Sequence, residues 1–78
     1  MNTMERLQKI FQDVFDDENL QISTDMNASD LEDWDSLHHI TLLSAVQSEF
    51  GISFDLDEII EMKYVDDILT AIERKSNG

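Results

Sequence analysis

Between Asp35 and Gly51 the apolar residues Leu37, Ile40, Leu42, Leu43, Ala45, Val46 and Phe50 cover more than one stripe of a helix. A segment of that kind has to be packed by other elements on several sides. A chain of 78 residues then has room for little besides a small bundle built around this helix, which should be its most buried member. The ends of the segment are marked. Asp35 is an N-cap residue type and leaves Ser36 in the first turn, near exposed N–H groups and the positive end of the helix. A phosphate on the Ser36 hydroxyl would be well placed there. Gly51 tolerates the positive φ that a helix stop wants.

The other elements follow from spacing. Met4, Leu7, Ile10, Phe11, Val14 and Phe15 share one helical face, with Glu5, Gln8, Lys9, Gln12 and Asp13 on the other. Asn2 with Glu5 three residues later supplies a capped start. Phe11 and Phe15 read as core rather than as a cofactor box. After a tether, Ile52-Ser53-Phe54, the residues from Asp57 to Met62 make a brief helix with Ile59, Ile60 and Met62 as its apolar part. Lys63-Tyr64 breaks the pattern. Val65, Ile68, Leu69 and Ile72 then mark a closing helix with Asp66 and Asp67 in its first turn and Arg74 and Lys75 near its end. Ser76-Asn77-Gly78 should fray. The expected fold is an all-α bundle and a single domain spanning 1–78, with main helices at about 3–15, 36–50 and 65–75 and a short one near 57–62.

From Asp16 to Asp35 the chain carries eight acidic residues and no basic one, so it reads as a loop. Leu20, Ile22, Met26, Leu31 and Trp34 should pin it over the bundle as an ordered loop. The spacing of Ser29 and Glu32 predicts one helical turn inside it. Asp25, Asn27 and Ser29 imitate the first three ligands of a calcium loop. The imitation fails where glycine should stand, at Asp30, and where a bidentate glutamate should stand, at Ser36. Weak, nonspecific divalent binding that relieves repulsion among the carboxylates is the expectation instead.

A net charge of −13 argues against nucleic acid or an anionic membrane as partner and for partners with basic surfaces. With no cysteine the chain has neither a disulfide framework nor a thiolate of its own, so thiol chemistry must be imported. The start, Met1-Asn2-Thr3-Met4-Glu5-Arg6, lacks the pattern of a signal peptide, and no stretch is long enough to span a bilayer; the expected compartment is the cytoplasm. His38 and His39 invite a hydrolytic or metal reading. Adjacent helical residues point about 100° apart, so they cannot chelate one ion from one face. There is no nucleophile elbow or oxyanion element either. They read as polar residues of a first turn, with contact to a phosphodiester or a partner as their functional option.

The Asp35-Ser36-Leu37 motif is set in a small acidic chain, between an amphipathic first helix with its long acidic loop and the run Leu37-His38-His39-Ile40-Thr41-Leu42-Leu43. With Glu49-Phe50-Gly51-Ile52 and a closing helix, it resembles the acyl carrier protein family over nearly its whole length. The resemblance implies a carrier and not an enzyme: Ser36 is the covalent attachment point of 4'-phosphopantetheine, derived from coenzyme A. The thiol of that arm holds acyl intermediates of fatty-acid, polyketide or related specialised biosynthesis as thioesters. It further implies a phosphopantetheinyl transferase and acyl-loading and acyl-transfer enzymes as partners, a monomer, and recognition through Asp35 and Leu37. Leu37 would also anchor its helix. If long acyl chains are carried, Val46, Phe54, Ile59 and Met62 are the candidate linings of a pocket for them, and the reading that these four are simply core is the favoured one. Many members of the family carry acidic residues along the second helix, whereas here only Glu49 lies between Ser36 and Phe50. An aminoacyl or peptidyl carrier, and an unmodified acidic adaptor, are the competing readings.

Overall fold

The computed structural model describes residues 2–77, with only the backbone for Asn77, so the expectations that touch Met1 and Gly78 fall outside it. Four helices appear in chain order: α1 (Thr3–Val14), α2 (Ser36–Phe50), α3 (Leu56–Glu61) and α4 (Val65–Asn77). Helix α1 packs against α2 and α4, and α3 leans on α2. Among the described residues no helix is long and apolar enough to cross a membrane.

Each boundary has a local cause. Asn2 caps α1, its Oδ1 accepting the Glu5 N–H at 2.8 Å. The helix closes one residue before the expected end, where the Asp17 N–H reaches back to the Gln12 carbonyl at 2.9 Å around Asp16 at φ 51°. Asp16 thus takes the left-handed place that glycine usually fills. Gly51, at φ 65°, ends α2 as expected. Helix α3 begins one residue earlier than the spacing suggests, because Asp55 and Glu58 form a reciprocal capping box ahead of Leu56. Helix α4 continues through Asn77, two residues past the expected end.

The core gathers Leu7 and Phe11 of α1, Leu42, Leu43 and Val46 of α2, and Val65, Ile68 and Ile72 of α4. Burial of this set out of water is the main force holding so small a bundle together. Helix α2 does not bury its whole apolar surface: Leu37 is 72% exposed and Ile40 49%. The wide apolar pattern therefore marks both a core stripe and a free face, and α2 is not the most buried helix as expected: it buries Leu42, Leu43 and Val46, whereas the shorter α4 buries Val65, Ile68, Leu69 and Ile72.

The long loop is ordered. Leu20, Ile22 and Trp34 are buried, with Met26 and Leu31 packed against the same core. Two glutamines on the polar side of α1 hold its backbone. Gln12 Nε2 donates to the Leu20 carbonyl at 3.0 Å, and Gln8 Oε1 accepts the Ile22 N–H at 3.0 Å. Further on, the loop pairs with the start of α4 through Val65 N–H to the Met26 carbonyl at 2.9 Å and Asp66 N–H to the Thr24 carbonyl at 3.0 Å. The expected helical turn at Ser29 to Glu32 does not form. Its place is taken by side-chain turns in which Asn27 Oδ1 accepts the Ser29 N–H at 2.7 Å and Asp30 Oδ2 accepts the Asn27 N–H at 3.0 Å. Asn and Asp chemistry wins over capping-box spacing there. No group of three or more His, Asp or Glu side chains placed to hold a metal ion comes together among the described residues.

Candidate functional site

Three consecutive residues open α2, and each meets a different environment. Asp35 stands at the N-cap with extended backbone, and its Oδ1 accepts the His38 N–H at 2.9 Å and the His38 Nδ1–H at 2.9 Å. Chiefly the backbone N–H and then the imidazole hold its carboxyl below the usual value. Ser36 is the first helical residue and is exposed. Its N–H and that of Leu37 have no acceptor within the helix, as in any first turn, so the peptide dipoles converge beside the hydroxyl. Leu37 does not anchor α2, as the sequence suggested, but projects into solvent.

An open groove of about 530 Å³ begins at Ser36. That is within the range of small-molecule sites, roughly 300–1,000 Å³. The loop supplies Asn27 and Ser29 to one wall, and the stretch from Ile60 to Tyr64 supplies the other. Pairing of Asn27 with Tyr64 holds the two walls at their meeting point. Ile60 and Tyr64 are exposed, which leaves the groove with an apolar lip. Of the four residues suggested for a cargo pocket, Val46, Phe54 and Ile59 are core and only Met62 reaches this groove.

Behind the serine lies an aromatic cluster. Trp34 packs edge-on against Phe11, with ring centroids 5.2 Å apart at 84°. His38 stacks on Phe15 at 5.5 Å and His39 on Trp34 at 5.9 Å. Both nitrogens of His39 are engaged: Nδ1 accepts the Trp34 Nε1–H at 2.9 Å and Nε2–H donates to the Ile59 carbonyl at 2.7 Å. His39 is therefore not a first-turn residue free for a phosphodiester. It joins loop, α2 and α3. The local half of this arrangement is legible as a staple, since Trp34 precedes the N-cap and His39 is the fourth helical residue. Nothing local announces Ile59.

This geometry bears on chemistry. The two imidazoles nearest Ser36 in sequence are engaged elsewhere, His38 with Asp35 and His39 with Trp34 and Ile59. An exposed hydroxyl at a helix start, with room beside it, fits a phosphodiester-linked arm.

A family model described as a phosphopantetheine attachment site matches residues 5–72. The fold is similar to the solution structure of a holo acyl carrier protein from Geobacter metallireducens, with a TM-score of 0.86 and 33% identity, covering 96% of this chain and 86% of that one. No curated protein matches the chain. Proteins of this kind are carriers rather than enzymes and work through covalently held 4'-phosphopantetheine. With most of α1, all of α2 and α3 and most of α4 inside the matched region, the chain belongs to the phosphopantetheine-attachment family and has an acyl carrier role.

Proposed function

We propose that Ser36 is the residue that receives 4'-phosphopantetheine and that the chain carries acyl groups between enzymes of fatty-acid, polyketide or related specialised biosynthesis. One observation carries the reading. Ser36 is an exposed serine at the start of a capped helix, opening on a groove, inside the matched region. A transferase would direct the Ser36 oxygen at the pantetheine-side phosphorus of coenzyme A. A new P–O bond forms, the pyrophosphate bond breaks, the adenosine bisphosphate leaves, and the hydroxyl proton passes to a base of the transferase. The bound arm then supplies a thiol for thioester exchange. Asp35 holds the turn that presents Ser36, and Leu37 offers an apolar contact to visiting enzymes. We place the chain in the cytoplasm as a monomer, with partners that present basic residues toward its acidic surface.

The absence of cysteine gives this reading a clean readout. Incubation with coenzyme A and a promiscuous phosphopantetheinyl transferase should create one thiol per chain, measured with a thiol-reactive dye after gel filtration. Ser36→Ala should show none while keeping its circular dichroism spectrum. No thiol on the wild-type chain, beside a carrier that loads in parallel, would favour the unmodified adaptor.

A further inference from the structure

His39 sits with a donor on one side and an acceptor on the other. The Trp34 indole N–H points at Nδ1 from 2.9 Å, and the Ile59 carbonyl lies 2.7 Å from Nε2. Only the neutral imidazole with its proton on Nε2 satisfies both. The Ile59 carbonyl belongs to the last turn of a six-residue helix, where the Met62 N–H reaches it at 3.3 Å and is shared with the Glu58 carbonyl at 3.2 Å, leaving room for the imidazole as a second donor. Helix α3 is too short to be stable alone, so contacts with α2 decide whether it stays in place.

We propose that His39 is a positioning residue: in its neutral form it latches α3 and the Trp34 turn to α2, and protonation undoes the latch and loosens the groove beside Ser36. A proton added at Nδ1 would face the indole N–H, so two donors would meet at 2.9 Å where a hydrogen bond stood. Trp34 is buried at 3% exposure, and little water can reach in to replace that bond. The neighbouring imidazole behaves differently. His38 faces the Asp35 carboxylate and the ring of Phe15, and a charged His38 keeps both partners. The titratable groups sharing the groove with His39 are Asp35 from the loop side and Lys63 and Tyr64 from the link between α3 and α4. The hydrogen bonds of Asp35 run to His38, and the indole N–H of Trp34 is directed at His39. The functional consequence rests on the reading of Ser36, whereas the latch and its test do not involve the cofactor.

Trp34 is the sole tryptophan, so its emission reports on its hydrogen-bond partner directly. The unmodified chain, taken from about pH 8 to about pH 5, across the range where imidazoles gain charge, should show one titration step in Trp34 fluorescence. Backbone amide resonances of Ile59 to Tyr64 should move with the same midpoint. Far-UV circular dichroism should stay helical throughout. His38→Gln should keep the step. His39→Gln, which offers both an acceptor and a donor but cannot charge, should abolish it. At the high-pH end, ¹⁵N spectra of the wild-type ring should show Nδ1 bare and Nε2 protonated, a measurement that stands even if the variant folds poorly. A flat wild-type emission curve, an unchanged step in His39→Gln, or a proton on Nδ1 at high pH would each overturn the proposal. None of these readouts depends on whether Ser36 can be loaded.

Discussion

Asp35 binds its proton less readily in the fold because the His38 backbone N–H and then the His38 ring stabilise the charged carboxylate. A carboxyl depressed in this way adds stability above its ordinary value of 3.8, and that contribution fades as the pH falls through the lower folded value. Asp35→Ala should therefore lower Tm at neutral pH by removing cap and charge together. The gap to wild type should narrow below about pH 4, which differential scanning calorimetry at stepped pH would follow. The identity and cap role of Asp35 were legible in the sequence because capping is local chemistry. His39 was not, since one of its two partners, the Ile59 carbonyl, lies twenty positions away. Adjacent histidines in a polar first turn give no hint that one ring turns inward.

At the scale of elements, the helices were legible nearly to the residue because apolar spacing and caps agree. What spacing cannot tell is whether an apolar side chain is covered by its own chain or by a visitor. Leu37, Ile40 and Ile60 all read as packing residues, yet all three are exposed, as is Leu56, on the two helices that His39 joins. Few charges lie among those on α2, where Glu49 is the only acidic residue. Leu37→Ser should leave the free energy of unfolding within about 0.5 kcal/mol of wild type, as for an exposed position outside the core. The same change should slow loading by a transferase several-fold, through KM more than kcat if it removes a docking contact. An equal loading rate would take Leu37 out of partner recognition. The short α3 shows the limit of pattern reading from the other side. Its start is set by Asp55 and Glu58, and the Lys75 ammonium of α4 meets Glu58 at 3.0 Å.

The whole molecule carries −13 on 78 residues, with a stability of roughly 4–12 kcal/mol expected from its length. Self-repulsion on that scale destabilises the compact state. Raising sodium chloride from low to moderate concentration should raise Tm, most steeply in the first tenth molar or so, where the Debye length falls toward about 10 Å. A melt series in salt checks this, and an unchanged midpoint would mean that the loop carboxylates are already compensated by local hydrogen bonds. Among the described residues every buried polar side-chain atom has a partner, so the fold spends no stability on unmet donors or acceptors. The bundle and the serine turn were thus readable from 78 letters. The groove and the latch arise from contacts between loop, α2 and α3 that no single window of sequence contains. The most direct measurement of the central claim is the intact mass of the chain before and after incubation with coenzyme A and a phosphopantetheinyl transferase, followed by fragmentation to place the change. A single phosphopantetheine gain on Ser36, absent from Ser36→Ala, is the predicted result; a gain on another residue, or none while a known carrier is modified alongside, would contradict it.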